Sequence, residues 1–86
     1  MKFCIRKTEM AELMQNDVIT ATTEALQQYD TEKDICAYLK KVFDKKYGPT
    51  WHCVVGHHYG SFITHDPGDF IYMDIGNVGL LLFRCG

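Results

Sequence analysis

The chain has 86 residues and a formal net charge of -2, with 47% hydrophobic and 23% charged residues. This length favours one small domain, and the composition is too apolar for a disordered chain. The slight negative charge disfavours nucleic acid as a partner, because polyanions bind strongly basic surfaces.

Four cysteines, Cys4, Cys36, Cys53 and Cys85, are scattered along the chain without a Cys-x-x-Cys pair. This spacing favours free thiols in a reducing compartment over a disulfide framework. The longest apolar run, 78–83, is far shorter than the ~20 residues that cross a membrane. The first residues are too charged for a secretory signal. We therefore expect a cytoplasmic protein with no membrane partner.

The N-terminal third is expected to form a short strand and then an amphipathic helix. Residues 3–7 suit an edge strand because their cationic side chains protect an exposed edge. From Met10 onward, apolar residues recur at steps of three and four, the period of a helix with one buried face. These positions are Met10, Leu13, Met14, Val18, Ala21, Ala25, Leu26 and Tyr29. Thr8 is the expected N-cap.

A second helix has the clearest local signals in the sequence. Asp30 or Thr31 can cap it, and acidic Glu32 lies in its first turn, where the helix dipole is positive. Its apolar stripe consists of Ile35, Leu39, Val42, Phe43 and Tyr47. Lysines in the last turns complement the negative end of the dipole. Gly48-Pro49 ends the helix, because proline has no N–H and restricts the preceding residue.

The rest of the chain is expected to be strand. Runs rich in β-branched and aromatic residues cover 50–55, 59–64, 70–75 and 78–84. Gly60-Ser61 leaves the second run with little bulk, which lets another backbone approach closely. Gly76-Asn77 predicts a tight hairpin turn, and the last run, apolar on both faces, should be central. The predicted order is β-α-α-β-β-β-β, an α+β domain with two helices on an antiparallel sheet.

Several segments together resemble the small dimeric dynein light chain family, a class also found as a subunit of myosin V. They are Glu32-Lys33-Asp34-Ile35, Phe43-Asp44-Lys45-Lys46-Tyr47, Pro49-Thr50-Trp51-His52-Cys53, Gly60-Ser61, Thr64-His65, Phe70-Ile71-Tyr72 and Leu81-Leu82-Phe83. The resemblance covers about residues 10–86. It implies a strand-exchanged homodimer, in which the strand carrying Gly60-Ser61 pairs with the partner subunit's sheet and leaves one edge free.

The resemblance also implies that short extended peptides add to that edge as an antiparallel strand. Typical ligands would resemble Lys-x-Thr-Gln-Thr or Gly-Ile-Gln-Val-Asp. The implied peptide-binding residues are Glu32, Lys33, Tyr59, Gly60, Ser61, Phe62, Thr64, His65, Phe70, Tyr72 and Asp74. The implied dimer-interface residues are His52, Tyr59, Ser61 and Ile63. The implied partners are the dynein intermediate chain and other disordered proteins with peptide motifs, on the cytoskeleton, without a cofactor.

A few residues depart from the family pattern. Asp74 stands where the family usually has a groove tyrosine, so one pocket should be more polar. His57-His58 replaces a more usual Arg-Asn pair, and Cys85 replaces a phosphorylatable serine. These departures leave two interpretations within the family: a general peptide-binding hub, or a dedicated axonemal dynein light chain with a narrow ligand range.

The histidines and Cys53 raise two other possibilities, a metal site and a small thiol enzyme. The spacing of His52, Cys53, His57, His58 and His65 fits no standard zinc signature, and strand alternation separates His52 from Cys53. Cys53 and His65 are conceivable as a nucleophile and its base. Because no orienting group or oxyanion donor is signalled, a buried core cysteine is favoured. We expect no metal ligands and no catalytic residues.

His52 has two interpretations. It is either a neutral core histidine or, by the resemblance, a residue that lies near its symmetry mate in the dimer interface. In the second case, protonation of both imidazoles would oppose association through desolvation and like-charge repulsion. The hypothesis is that acidification dissociates the dimer and that His52→Lys is largely monomeric.

Overall fold

The computed structural model of the chain describes residues 2–56 and 69–85. Within them, the elements follow in the order β1 (Phe3–Thr8), α1 (Glu12–Gln28), α2 (Glu32–Tyr47), β2 (Trp51–Gly56), β3 (Phe70–Ile75) and β4 (Val78–Arg84). The predicted α+β class, with two helices and an antiparallel sheet, is confirmed. The strand expected at 59–64 lies outside the described residues.

The four strands form one sheet in the order β1-β3-β4-β2, and each neighbouring pair is antiparallel. As predicted, β4 is central, since it lies between β3 and β2. Gly76, with a φ of 64°, makes the tight turn that joins β3 to β4. A positive φ is easily adopted only by glycine, which explains its place there. Within the described residues, β1 and β2 are therefore the two edges of the sheet.

The helices pack on one face of this sheet and enclose the main core. Trp51 is fully buried among the side chains of α2 and the sheet. Leu13 contradicts the predicted stripe of α1, because it is 80% exposed. The buried positions of α1 are Val18, Ala21, Thr22 and Ala25. They follow the helical period, and Leu13 falls one residue out of that register.

The caps of the two helices differ from each other. Thr31 caps α2 as expected, because its side chain accepts a hydrogen bond from the N–H of Asp34 at 3.2 Å. The prediction that Thr8 caps α1 is wrong. Thr8 ends β1, and its hydroxyl accepts from the N–H of Met10 at 3.0 Å and donates to the carbonyl of Phe70 at 2.8 Å. Thr8 thus holds the strand-to-helix connection against β3.

The sheet is apolar on both faces. Ile71 and Met73 of β3 point towards the helices and are fully buried in the main core. Phe70, Leu81 and Phe83 form a separate buried cluster. Because side chains alternate along a strand, this second cluster belongs to the face that points away from the helices. We call that face the outer face; apolar side chains on both faces are typical of a sheet with a layer on each side.

Candidate functional site

Residues 43–53, which contain two of the segments that resemble the family, form the corner between α2 and β2. Asp44 accepts a hydrogen bond from the N–H of Trp51 at 2.8 Å and one from Nζ of Lys40 at 2.6 Å. The bond from Lys40 lowers the pKa of Asp44. Trp51 packs edge-on against Phe43, with ring centroids 5.0 Å apart. These contacts fix how β2 leaves the helix, so this motif serves the fold.

Arg84, near the C-terminus, ties the same corner to β4. Its Nη1 donates to the carbonyl of Tyr47 at 2.7 Å, and its Nη2 donates to Oδ2 of Asp69 at 2.9 Å. Its guanidinium carbon lies 5.4 Å from the ring centroid of Trp51, a cation–π contact. The hydroxyl of Tyr47 donates to Asp17 of α1, and burial together with this bond raises the pKa of Tyr47 to about 12. The corner is held from three sides.

The edge of β2 that points away from β4 is a candidate binding surface; we call it the free edge of β2. β2 pairs with β4 from Trp51 opposite Arg84 to Gly56 opposite Gly79. Among the described residues, no strand pairs with its other side, so its outward N–H and C=O groups lack a strand partner there. Val54, on the outer face, is 40% exposed. An apolar edge strand of this kind is a template for pairing with another chain.

His52 lies on this edge, on the outer face. Its side chain is exposed, and its ring stacks on Phe83 with centroids 5.4 Å apart. In this chain it is therefore not a core histidine, which was one of its two interpretations. Cys53, the next residue, points the other way and packs against the main core, as strand alternation predicts.

The start of α2 holds two predicted peptide-binding residues, Glu32 and Lys33, and both are exposed. Behind them, a cavity of about 340 Å³ lies between the helices and the sheet. It is lined by Leu26, Glu32, Ile35, Val55, Ile75, Gly76, Asn77, Val78 and Leu80. Several of these belong to the main core, so Glu32 lies on the helix side of the sheet.

The predicted groove residues of β3 lie on the opposite side. Phe70 is 1% exposed in the outer-face cluster, and Tyr72 packs against that cluster. Asp74, two residues after Tyr72, lies on the same face of the sheet and accepts a hydrogen bond from Nε of Arg6 at 2.6 Å. The structure therefore separates two groups of predicted site residues across the sheet. Within one chain, the start of α2 and the outer face of β3 do not come together.

The remaining predicted site residues lie outside the described residues: Tyr59, Gly60, Ser61, Phe62, Ile63, Thr64 and His65, together with His57 and His58. Sequence analysis did not identify Arg6 as the partner of Asp74 or Asp44 as the acceptor for Trp51. Both are pairs between separate elements, for which the sequence gives only residue type. The described residues contain no group of three side chains that could hold a metal ion. In the same residues, neither helix is long and apolar enough to span a bilayer.

Comparison with known proteins places this arrangement in a family. The family model described as dynein light chain type 1 matches residues 2–85. The dynein light chain-like domain of the Fasciola hepatica calcium binding protein FhCaBP2 is 27% identical, with a TM-score of 0.83 over 98% of this chain and 92% of that chain. The DLC-like domain of CsTAL3 has a TM-score of 0.79 at 19% identity, over 95% and 90% of the two chains, and shows the shared fold alone.

Proposed function

The chain belongs to the dynein light chain type 1 family, and from this premise we propose that it is a non-catalytic homodimeric hub for short linear peptides. It would bind an extended segment of a disordered partner by β-strand addition. Main-chain hydrogen bonds would then supply affinity, and pockets under alternate side chains would supply specificity. No cofactor is needed for this activity.

The observation that carries the proposal is the free edge of β2, the edge that points away from β4. Within the described residues it has no strand partner, although the strand is well formed and carries the exposed apolar Val54. Segment 59–65 of a second copy would pair with this side and so extend the sheet. Its own far edge would then receive the peptide. Gly60 in that segment would leave room for the incoming backbone.

Two chains are needed because of how the sheet divides the site. Glu32 and Lys33 lie at the start of α2, on the helix side, whereas Tyr72 and Asp74 lie on the outer face. In the proposed dimer, the outer faces of two sheets pack together as a sandwich. Segment 59–65 and β3 of one copy then meet the start of α2 of the other. The groove is complete only between copies.

Glu32 and Lys33 suit a glutamine side chain in the peptide. A primary amide offers two N–H donors and a carbonyl acceptor. The carboxylate of Glu32 can accept from the amide nitrogen, and the ammonium of Lys33 can donate to the amide oxygen. Both side chains are exposed, and the helix start that carries them is fixed by the Thr31 cap. This pairing supports ligands that resemble Lys-x-Thr-Gln-Thr.

The proposed partners are the dynein intermediate chain and other disordered proteins with such motifs, in the cytoplasm and on the cytoskeleton. Each dimer would present two equivalent grooves. A partner with two motifs, or a partner that is itself dimeric, would gain effective concentration once the first motif is bound. The hub would in this way align or dimerise disordered chains.

Asp74 favours a second candidate, a dedicated axonemal light chain with a narrow ligand range. Its carboxylate is engaged by Arg6, so an ion pair stands where the resemblance places a groove tyrosine. A charged pair at a groove offers a ligand fewer apolar contacts than an aromatic ring. An array of peptides varied at each position separates the two candidates, because the hub accepts many sequences and the dedicated subunit accepts few.

The direct test is calorimetric titration of a Lys-x-Thr-Gln-Thr peptide, with a scrambled peptide of the same composition as control. The proposal predicts saturation at one peptide per chain for the first and no binding for the second. If neither this peptide nor any member of the array binds, the peptide-binding function is wrong.

A further inference from the structure

Cys36 of α2 and Cys53 of β2 form a pair of thiols that the proposed function does not use. Both side chains are free thiols and partly buried. The two side chains are in hydrogen-bonding contact across the boundary between helix and strand. Cys4 and Cys85 differ from them, because both are exposed.

The fold brings these thiols together through the corner described above. Cys36, Lys40 and Asp44 are spaced by four residues, so they form one stripe along α2. Asp44, at one end of the stripe, holds the N–H of Trp51. Cys53 follows Trp51 by two residues and therefore points to the same side of the sheet. The stripe runs beside β2, and Cys36 lies against Cys53.

The two thiols are chemically unequal. The hydrogen bond from Cys53 lowers the pKa of Cys36, in spite of the opposing effects of burial and of the nearby Glu32 carboxylate. The same bond, together with burial, raises the pKa of Cys53. Because the thiolate is the reactive form of cysteine, Cys36 is the better nucleophile of the two. Cys53 is placed to react with whatever forms on the Cys36 sulfur.

We propose that Cys36 and Cys53 are a reversible dithiol–disulfide site that reacts with hydrogen peroxide or related hydroperoxides. The thiolate of Cys36 attacks one peroxide oxygen and breaks the O–O bond, which gives a sulfenic acid on Cys36 and hydroxide. The Cys53 sulfur then attacks the Cys36 sulfur and displaces the oxygen as water. The two thiols lose two electrons and two protons, and the peroxide is reduced to two waters.

The disulfide would tether the first half of α2 to β2 and close the segment 36–53 into a loop. A crosslink of this kind restricts the unfolded chain and raises the midpoint of thermal unfolding. A low-molecular-weight thiol would reverse it by thiol–disulfide exchange. The site is independent of peptide binding, so it stands whether or not the proposed function holds.

A peptide map tests the site without any substitution. Trypsin cuts after Lys and Arg, which places each cysteine on a different peptide; Cys36 lies on 34–40 and Cys53 on 47–84. The full chain is treated with limiting hydrogen peroxide, blocked with a thiol reagent and digested without reductant. We expect peptide 34–40 joined to peptide 47–84. The linked product should have the summed mass of the two reduced peptides less two hydrogens. The undigested chain should run as a monomer on a denaturing, non-reducing gel.

Two variants test the order of steps. Cys53→Ala should leave a sulfenic acid on Cys36 that a dimedone reagent captures, and it should show no upward shift of the unfolding midpoint after peroxide. Cys36→Ala should leave Cys53 unoxidised over the same time. Cys85→Ala is the matched control and should form the 36–53 link at the wild-type rate. The proposal is overturned if peroxide yields only links through Cys4 or Cys85, or sulfinic acid without the 34–40 to 47–84 link.

Discussion

The two ends of α2 differ in what holds them. At the C-terminal end, Asp44 and Tyr47 contact β2, α1 and the Arg84 side chain through hydrogen bonds, and Trp51 is fully buried beside them. At the N-terminal end, Glu32 and Lys33 are exposed in front of an apolar cavity. The C-terminal end of the helix is tied to the rest of the chain by side-chain contacts, whereas the N-terminal end presents the exposed side chains that the proposed groove uses.

This difference separates residues that make the fold from residues that are available for binding. The segment Phe43-Asp44-Lys45-Lys46-Tyr47 carries much of the family resemblance, and Asp44 and Tyr47 within it serve the corner. A family can therefore be recognised from residues whose visible contacts serve the fold. If the proposed groove forms, the exposed start of the helix is where its ligand preference can vary without cost to the fold.

The largest expected effect is that of His52→Lys. It adds a charge to the outer face of β2, where the proposed dimer would bury it without a partner, at a cost of about 3 kcal/mol or more. The corner should be unaffected, because His52 points away from it. Sedimentation equilibrium should show a largely monomeric chain, while tryptophan fluorescence stays native-like. Asn16→Lys, an equal change of charge on exposed α1, should remain dimeric; a dimeric His52→Lys would contradict the proposed interface.

Asp44→Ala should destabilise the contact between α2 and β2 and leave the start of α2 unchanged. The N–H of Trp51 loses its acceptor, and the expected loss in free energy of unfolding is about 2 kcal/mol. Urea unfolding followed by tryptophan fluorescence measures it. Asp34→Ala, in the exposed first turn of the same helix, is the control and should cost clearly less. Equal losses in the two variants would mean that the corner bond does not stabilise the fold.

Lys33→Ala should weaken peptide binding and leave the stability of the fold unchanged. Loss of a charged hydrogen bond to the peptide amide is expected to weaken peptide binding by about tenfold, with no change in the free energy of unfolding. Lys41→Ala removes another exposed lysine of α2 and should bind the peptide like the wild type. Calorimetric titration of both variants gives the comparison, and equal affinities would remove Lys33 from the site.

The smallest effect concerns acid. The Lys40 bond lowers the pKa of Asp44, and the Tyr47 bond lowers that of Asp17. A carboxyl group whose pKa is lower in the folded state stabilises the fold above its unfolded value of about 4, and this stability is lost as the pH falls through the folded value. Asp44→Asn should therefore lose less stability than the wild type between pH 5 and pH 2. Urea unfolding at each pH measures the free energy of unfolding of both proteins. An equal decrease in this free energy from pH 5 to pH 2 would contradict the prediction.

Local signals in the sequence predicted most of the fold. The capping residue, the apolar stripe and Gly48-Pro49 predict where α2 begins and ends. The turn residues Gly76-Asn77 predict the hairpin between β3 and β4. Thr8 and Leu13 were predicted wrongly, because the Thr8 hydroxyl is engaged by β3 and the burial of α1 depends on its register against the sheet. Such long-range contacts leave no local pattern.

The candidate site was predicted as one set of residues, and the structure divides the described ones between two faces. This division depends on which face of the sheet the helices cover, which strand alternation alone does not fix. The partnership of Asp74 with Arg6 likewise depends on the pairing of β1 with β3. The roles of 59–65 remain predictions that the family resemblance implies.

The central claim is that the peptide groove is built by two chains, and one measurement tests it directly. The fraction of a fluorescent Lys-x-Thr-Gln-Thr peptide bound is recorded across a protein dilution series, beside the dimer fraction from sedimentation at the same concentrations. The account predicts that binding falls in step with the dimer and saturates at one peptide per chain. A monomer that binds the peptide with undiminished affinity would contradict it.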